Sequence, residues 1–345
     1  MKTEVLDIKD ITLNYNNIIR GVEYLKHGEV IAIPTETVYG LAADAFNERA
    51  IKKIFEVKGR PQDNPLIVHV YKLEQVYEIC KGISNAAENV MDAFWPGSVT
   101  LIFNKKDCIS DTITAGMKTV GVRFPQNEQA RAIIKESGTL LVAPSANSSG
   151  KPSTTSAEHC YHDLNGKIPC ILDGGSCSIG LESTIIDMST TDPVLLRPGA
   201  ISLDEIRNVI PNLIYQKNLL SAKDSEIPKA PGMKYKHYAP DTPITLVEGD
   251  YHKTSRWLQE NANKNEAVLC FEEFIPEFKD YSHLYSLGSF DTLDIAARKI
   301  FDLLRECDTL NVSHIFIQSP YSIGLGNSIL NRLEKASAGN IVHVN

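Results

Sequence analysis

Hydroxyl and cationic side chains stand directly beside compact apolar runs at several points in the first two-thirds of the sequence. The first such segment carries Thr35 and Thr37 immediately after the apolar run Val30–Ile33. Hydroxyl groups at the end of a strand can line a ligand pocket. The same residues are typical of a turn in which a threonine caps the next element, and this segment alone favours the turn.

The second segment places two cations on either side of a glycine. Lys58 and Arg60 flank Gly59, and Asn64 follows in the same loop. This spacing suits the binding of a polyphosphate. A helix C-terminus also attracts cations, which accounts for Lys58 but not for Arg60, because Arg60 lies beyond the glycine that ends the helix. Further along, His69 lies inside an apolar run, where a hydrogen-bonded core histidine is the usual case.

Two arginines lie within or at the end of apolar runs. Arg123 belongs to the run Val120–Phe124, and Arg197 directly follows Leu195 and Leu196. A buried guanidinium is costly unless it is paired. The partner of Arg123 is therefore either a buried carboxylate of the protein or an anionic ligand, and the residues alone leave both open.

A loop rich in small polar residues follows the apolar run Leu140–Ala143. It carries Ser145, Asn147 and Thr155 among several other serines and threonines. The backbone amides and hydroxyls of such a loop can hold phosphate groups, although a polar surface loop has the same composition. A Walker-type motif is rejected, because a proline separates Lys151 from the next serine. No nucleophile elbow surrounds Ser145, so no covalent catalytic nucleophile is predicted.

Short apolar runs bounded by Gly, Pro, Ser or Asp predict strands along this part of the chain. The predicted strands are Val30–Ile33, Leu66–Val70, Val99–Phe103, Val120–Phe124, Leu140–Ala143, Cys170–Leu172, Thr184–Asp187 and Val194–Leu196. One helix is predicted between Asn47, which can cap it, and Gly59, which can end it. A second helix is predicted before Trp95. So many strands per helix favour a mixed sheet over a doubly wound parallel one.

The pattern changes between residues 216 and 241. Three prolines and a glycine exclude a regular element in Ile227–Pro240. The same stretch contains three aromatic rings and three lysines, which makes it a poor flexible spacer. We therefore predict a linker over residues 216–241 that packs over the active site.

Strand-like and helix-like segments alternate after the linker. The amphipathic stretch Asp291–Cys307 predicts a helix, and parallel strands are predicted at Ile244–Val247, Ala267–Leu269, Leu284–Leu287 and His314–Gln318. Alternation of this kind is typical of a small α/β domain with a parallel sheet. The predicted domains are therefore residues 1–215 and residues 242–345, joined by the linker.

Composition and charge restrict the function classes. The formal net charge is -8, and it divides evenly, because residues 1–220 carry 22 Lys+Arg against 26 Asp+Glu and the remainder carries 13 against 17. Any contact with RNA must therefore use a local patch. Seven cysteines without a CxxC pair favour buried thiols over a disulfide framework or a zinc site. Neither a signal-peptide core nor an apolar run of membrane-spanning length is present, which predicts a cytoplasmic location.

Taken in this order, the segments resemble the YrdC-type threonylcarbamoyl-AMP synthase family in its two-domain form. The matching stretches are PTETVYGLAADAF, KGRPQDNPLIVH, FWPGSVTLIF, VGVRFP, APSANSSGKPS, LESTI, LLRPGAI and, in the linker, APGMKYKHYAP. The resemblance implies an α/β (α+β) protein with a twisted mixed sheet that has a large concave face, and a C-terminal Rossmann-like domain. It also implies that ATP, L-threonine and bicarbonate are converted to threonylcarbamoyl-AMP and pyrophosphate. A partner system would then transfer the threonylcarbamoyl group to an adenosine beside the tRNA anticodon.

The resemblance further implies roles for individual residues. Those expected to hold threonine are Thr37, His69, Arg123, Ser145 and Ser183, with Arg123 on the carboxylate and Thr35 as an alternative to Thr37. Those expected to bind ATP are Lys58, Arg60, Asn64, Thr119, Asn147, Thr155, Arg197 and, from the linker, Tyr235. Magnesium is expected as the counter-ion of ATP, and a protein-bound zinc is not expected.

Other functions remain as alternatives. The main one is an RNA-binding module of the same fold without catalysis, against which the net charge of -4 on residues 1–220 argues. A weak contact with tRNA is compatible with either function. An enzyme that uses carbamoyl phosphate would need zinc-finger segments, for which the chain has no CxxC pairs. A protein that keeps only the fold is disfavoured by the intact set of cations and hydroxyls.

Overall fold

The computed structural model describes residues 2–215, 228–231, 237–310 and 312–344. The chain divides into two compact units, each built on its own β-sheet. The first unit contains Met1–Ser149, Ser153–Ser178 and Glu182–Tyr235. The second unit contains Gly150–Pro152, Ile179–Leu181 and Lys236–Asn345.

Eleven strands form one mixed sheet in the described part of the first unit. They are β1 (Glu4–Asp7), β2 (Ile31–Ile33), β3 (Gly40–Asp44), β4 (Ile67–His69), β5 (Cys80–Lys81), β6 (Val99–Lys105), β7 (Thr119–Arg123), β8 (Leu141–Val142), β9 (Cys170–Asp173), β10 (Thr184–Asp187) and β11 (Val194–Arg197). The order across the sheet is β1-β9-β2-β3-β8-β4-β7-β6-β10-β11, and β5 pairs with β6 at the side. Parallel pairs such as β4–β7 and β6–β10 alternate with antiparallel pairs such as β6–β7, so the predicted mixed sheet is confirmed.

Eight helices connect these strands in the same part of the chain. They are α1 (Tyr15–Lys26), α2 (Glu48–Lys58), α3 (Glu74–Ile79), α4 (Asn85–Phe94), α5 (Asp111–Thr114), α6 (Glu128–Ser137), α7 (Ala157–Leu164) and α8 (Leu203–Val209). Helix α2 begins as predicted, because the Asn47 side chain accepts a hydrogen bond from the backbone N–H of Ala50 at 3.2 Å. It ends at Gly59, whose φ of 62° is the left-handed conformation that favours glycine. Helix α4 confirms the helix predicted before Trp95.

The side chains on the two faces of the mixed sheet are buried in separate apolar clusters. Along β2 and the residue before it, Val30 and Ala32 belong to one core, whereas Ile31 and Ile33 belong to the other. This is the period of two that a strand imposes on its side chains. Because both faces are buried, the strands have continuous apolar sequences rather than alternating ones. That is why compact apolar runs predicted most of them.

The second unit contains a five-stranded parallel sheet. Its strands are β12 (Ile244–Gly249), β13 (Ala267–Cys270), β14 (His283–Ser286), β15 (Ile315–Gln318) and β16 (Ile341–Val344), in the order β14-β13-β15-β12-β16. Its helices are α9 (Tyr251–Asn261), a 3₁₀ helix (Glu272–Phe278), α10 (Asp294–Thr309) and α11 (Leu325–Ala336). Ile300 and Leu304 of α10 are buried, as the predicted amphipathic pattern requires. The predicted parallel α/β architecture is confirmed.

Candidate active site

Three neighbouring strands bring polar residues into register on one face of the first sheet. His69 of β4 pairs with Arg123 of β7, and Arg123 pairs in turn with Thr100 of β6. Residues that stand opposite each other in adjacent strands project from the same face of a sheet. All three side chains are buried. The sheet register therefore assembles a polar cluster that is scattered along the sequence.

Arg123 is paired with a carboxylate of the protein, which was one of its two expected partners. Its Nη2 donates to Oε1 of Glu36 at 2.6 Å, and its Nη1 donates to the Thr37 hydroxyl at 2.7 Å. Glu36 also accepts hydrogen bonds from the backbone N–H groups of Gln126 and Asn127, at 3.1 and 3.2 Å. Burial alone would raise the pKa of Glu36, but the Arg123 charge and these hydrogen bonds outweigh it and lower that pKa. Glu36 is therefore ionised and holds the guanidinium in place.

Thr35 and Thr37 have different surroundings. The Thr35 hydroxyl donates to the backbone carbonyl of Val38 at 2.6 Å and lies 2.9 Å from the Thr37 hydroxyl. The backbone N–H of Thr37 donates to the same Thr35 oxygen at 3.2 Å. Thr35 thus serves the turn that its sequence is typical of. The Thr37 hydroxyl is the one of the two that contacts Arg123.

His69 is a neutral, hydrogen-bonded histidine. Its Nδ1 lies 3.2 Å from the backbone carbonyl of Ile67. A carbonyl oxygen only accepts, so Nδ1 carries the proton and Nε2 is left as an acceptor. Burial, reinforced by the charge of Arg123, lowers the pKa of His69 to about 3. His69 can accept a hydrogen bond from a ligand but adds no positive charge at neutral pH.

Ser183 links the strand cluster to Arg197. The Ser183 and Thr100 hydroxyls lie 2.7 Å apart. Arg197 donates from Nη2 to the Ser183 hydroxyl at 3.2 Å and from Nε to the Ser183 carbonyl at 3.0 Å. Its Nη1 also donates to the carbonyl of Pro231, at 3.1 Å. The predicted residues Thr37, Arg123, Ser183 and Arg197 are thus connected through Thr100, which is the register partner of Arg123.

A second cluster surrounds the buried ammonium group of Lys58. Its Nζ donates to the backbone carbonyls of Ser145 and Asn147. The Ser145 hydroxyl donates to the Asn147 side-chain oxygen at 2.5 Å, and the Asn147 amide donates to the Ser148 carbonyl at 2.7 Å. Lys58 therefore orders the polar loop that the sequence left open between a phosphate-holding loop and a polar surface loop.

Backbone hydrogen bonds hold this loop against the segment that carries Thr35 and Thr37. Leu41 donates to the Pro144 carbonyl at 2.7 Å, and Ala146 donates to the Tyr39 carbonyl at 2.8 Å. Tyr39 in turn donates to the Thr154 carbonyl at 2.8 Å. The Lys58 cluster and the Arg123 cluster consequently lie on adjoining segments of the first unit.

The remaining described residues expected to bind ATP lie outside the Lys58 cluster and differ in their surroundings. Arg60 donates to the carbonyls of Asn64 and Pro65, at 3.2 and 3.0 Å, and so closes its own loop. The buried Oδ1 of Asn64 has no hydrogen-bond partner among the described residues. Thr119 is half-buried at the start of β7, and the hydroxyl of Thr155 lies 3.2 Å from Nδ1 of His159 rather than on the Lys58 cluster.

Comparison with known proteins identifies the family to which this chain belongs. A Sua5/YciO/YrdC family model, described as "Telomere recombination", matches residues 23–199, and a model described as "Threonylcarbamoyl-AMP synthase, C-terminal domain" matches residues 201–338. The threonylcarbamoyl-AMP synthase of Bacillus subtilis is 42% identical over 349 residues, covering 99% of this chain and 100% of that protein. The chain belongs to the threonylcarbamoyl-AMP synthase family.

Further members of the threonylcarbamoyl-AMP synthase family agree with this assignment. The synthase of Pyrococcus abyssi is 42% identical over 332 residues, which is 93% of this chain and 94% of that protein. The crystal structure of P. abyssi Sua5 complexed with L-threonine superposes with a TM-score of 0.92 at 40% identity, covering 99% of this chain and 100% of that one. The resemblance inferred from the motifs is thereby confirmed, and the chain is an enzyme of this family.

Sequence reasoning missed two residues of the candidate site. Glu36 lies inside the motif that resembles the synthase family, but a charged residue between two threonines gives no sign that it is buried. Thr100 lies inside an apolar strand, where a threonine is ordinary. Thr100 stands opposite Arg123 in the pairing of β6 with β7. Its place in the site could have been predicted only if the register of these two strands had been known.

Two pieces of the linker are described: residues 228–231 belong to the first unit, and residues 237–241 belong to the second. Ala230 is fully buried against Ile67, Ile102, Ile185 and Leu196, which lie on strands of the mixed sheet or beside them. Residues 216–227 and 232–236 lie outside the described residues, and the expectation for Tyr235 falls there. Among the helices that the structure does describe, none has the length and apolar character needed to cross a membrane.

Proposed function

We propose that this protein forms threonylcarbamoyl-AMP and pyrophosphate from ATP, L-threonine and bicarbonate. The product would serve the threonylcarbamoyl modification of an adenosine in tRNA, through a separate transfer system in the cytoplasm. The observation that carries the proposal is the adjacency of the Arg123 and Lys58 clusters. The Arg123 cluster combines hydroxyl groups with a fixed guanidinium, and the Lys58 cluster combines a buried ammonium group with a polar loop. Such a pair suits a small zwitterion beside a polyphosphate.

Threonine would bind at the Arg123 cluster. Three nitrogens of Arg123 donate to protein groups, and a guanidinium has five N–H donors, so two N–H groups remain for a carboxylate. His69 would accept from the hydroxyl or amine of threonine through Nε2. Thr37, Ser145 and Ser183 would supply the remaining polar contacts. The P. abyssi relative crystallised with L-threonine supports this choice of ligand.

ATP would bind at the Lys58 cluster and along the adjoining segments. Lys58 and Arg60 would face the triphosphate, and Asn147 and Thr155 would make further contacts with ATP. The unpaired buried oxygen of Asn64 can accept a hydrogen bond from the adenine amine or a ribose hydroxyl. The further contacts that we propose are Thr119, Arg197 and, from the linker, Tyr235.

The chemistry needs orientation more than a protein nucleophile. The amine of threonine and bicarbonate would combine to a carbamate with loss of water, and a carbamate oxygen would then attack the α-phosphorus of ATP. Pyrophosphate leaves as the P–O bond to the carbamate forms. The fixed cations would offset the repulsion between the two anions, and enclosure would protect the carbamate from water.

Magnesium would accompany ATP. The part of the chain that the structure describes contains no group of three or more His, Cys, Asp or Glu side chains arranged to hold a metal ion. Magnesium bound to a nucleotide commonly takes its ligands from phosphate oxygens and water with one or two carboxylates at most. We therefore propose that the triphosphate carries the ion and assign no protein ligand to it.

An omission experiment tests the proposal. We expect pyrophosphate release to require ATP, threonine and bicarbonate together, and to stop when any one is left out. Serine is the strict comparison, because it lacks one methyl group, which a fitted pocket discriminates by about 1–3 kcal/mol. Equal release with serine, or release without bicarbonate, would contradict the assignment.

A further inference from the structure

A cleft opens in the second unit, apart from every residue assigned above. Its volume is about 350 Å³, and its lining residues are Asp250, Tyr251, His252, Phe274, Phe290, Asp291 and Tyr321. Each of them lies beyond the C-terminal end of a parallel strand, in the segments that follow β12, β13, β14 and β15. The volume is within the range of small-molecule sites, near its lower end.

The topology of the second sheet places this cleft where ligands bind in open α/β sheets. The connections after β12 and β13 run toward the β14 edge, whereas those after β14 and β15 run toward the β16 edge. Right-handed crossovers then put the two sets of helices on opposite faces. In agreement, α9 contacts the 3₁₀ helix and α10 contacts α11. The loops after β12 and β15, which are neighbours in the sheet, therefore diverge and leave a crevice between them.

Aromatic rings form the wall of the cleft. The Tyr251 ring stacks on Tyr321, with centroids 4.1 Å apart and planes at 22°, and on Phe290 at 5.0 Å and 29°. The Tyr251 hydroxyl accepts a hydrogen bond from the backbone N–H of Tyr321 at 3.1 Å, which fixes the stack. Tyr321 is 44% exposed, so this large ring meets the solvent at the mouth of the cleft. Exposed apolar surface that lines a cleft is typical of a ligand-binding site.

Carboxylates surround the rings. Asp250 and Asp291 line the cleft, and Glu273 lies beside it, where it accepts hydrogen bonds from Ser289 and from the backbone of Phe290. Burial raises the pKa of Tyr251, and the negative charges of Glu273 and Asp291 raise it further. Residues 221–345 carry 13 Lys+Arg against 17 Asp+Glu, a net charge of -4 that adds to this field.

We propose that this cleft binds a small organic cation of the alkylammonium class. Aromatic faces combined with carboxylates attract an ammonium group through the ring quadrupole and the opposite charge. The N-terminal amides of α9 do not offer an anion site here, because Asp250 caps them and accepts from His252 and Lys253 at 3.1 Å. All its lining residues belong to the second unit, whereas the residues of the proposed reaction that the structure describes belong to the first.

Calorimetric titration of the full chain tests this site. Tetramethylammonium and spermidine are the probes, and adenosine and AMP are the uncharged and anionic comparisons. We expect both cations to bind at physiological salt. Tyr321→Leu should weaken their binding about five- to thirtyfold, the range that a cation–π contact supports. Asp291→Asn should weaken it too, with a smaller effect at high salt, because a surface charge is screened.

Two matched variants separate the cleft from general surface charge. Tyr161→Leu removes an exposed tyrosine of the first unit. Asp280→Asn removes an exposed carboxylate of the second unit, which pairs with Lys264. Both should leave cation affinity unchanged. The proposal is overturned if neither cation binds up to about 10 mM, or if Tyr321→Leu and Asp291→Asn bind them like the parent chain. Loss of adenosine or AMP binding in Tyr321→Leu would also overturn it, in favour of a nucleotide site.

Discussion

The Glu36→Gln variant gives the sharpest test of how the candidate site is held together. Glu36 and Arg123 form an ion pair in which each side chain is only 6% exposed. Removing the charge of Glu36 leaves a buried guanidinium with the Thr37 hydroxyl and a backbone carbonyl as its partners. Loss of one partner from a buried pair costs about 3–5 kcal/mol, and glutamine keeps part of the hydrogen bonding. We therefore expect a loss of about 3 kcal/mol in the free energy of unfolding of the first unit.

Tryptophan fluorescence during urea unfolding measures this loss. The chain has two tryptophans, and Trp95 is buried in a core of the first unit. In a Trp257→Phe background the signal comes from the first unit alone. A loss of this size corresponds to a fall of about 6–12 °C in the thermal midpoint of a unit this large. The matched control is Glu23→Gln, which removes an exposed pair with Lys26 and should cost less than about 0.5 kcal/mol.

A double-mutant cycle with Arg123→Met shows whether the pair itself is responsible. Each single variant leaves one buried charge without its partner, whereas the double variant leaves neither. The double variant should therefore be more stable than the sum of the two losses predicts, by about 2 kcal/mol or more. If the losses simply add, or if Glu36→Gln costs no more than Glu23→Gln, the pair does not organise the site as we infer.

Three further predictions concern the same unit. His69 has a pKa of about 3 in the folded chain against 6.5 unfolded, so protonation favours unfolding as the pH falls. The free energy of unfolding should drop by about 2 kcal/mol between pH 7.5 and pH 5, and urea titrations of His69→Gln should lose this part of the pH dependence. Arg60→Ala should impair ATP use, and Arg123→Ala should impair threonine binding. In calorimetry each variant should lose about 2–4 kcal/mol of binding free energy for its own ligand. Normal threonine binding by folded Arg123→Ala would contradict the assignment. Gly199→Ala should lower both turnover and the thermal midpoint, because a Cβ at that position would lie 2.3 Å from the backbone N of Thr184. Turnover equal to that of the parent chain would show that the backbone at Gly199 is not constrained.

The sequence predicted most strands of the mixed sheet but not its pairing. Runs such as Val99–Phe103 are apolar because both faces of the sheet are covered, and that signal is local. Strand β3 was missed, because Gly40–Asp44 is made mostly of small residues that give no strong strand pattern. Helix α1 was missed as well, although Ile18, Val22 and Leu25 give it a buried face.

The candidate site was predicted as a set of residues and not as a geometry. The cost of burying Arg123 indicated that it needs an anion, but Glu36 lies 87 positions away and only the fold joins them. The same holds for Ser183 and Thr100, which are 83 positions apart and meet through the pairing of β6 with β10. Residue type therefore indicates what a side chain requires, and long-range pairing decides which partner supplies it. The aromatic cleft of the second unit, assembled from four separate segments, was not foreseen for the same reason.

Transfer of label from bicarbonate to an adenylate tests the central claim most directly. The full chain is incubated with ATP, threonine and labelled bicarbonate, and the adenylate product is separated from pyrophosphate and quantified. The account predicts a labelled threonylcarbamoyl-adenylate that appears in equal amount with pyrophosphate, and no labelled product when threonine is omitted. Pyrophosphate released without label in an adenylate, or label incorporated without threonine, would contradict it.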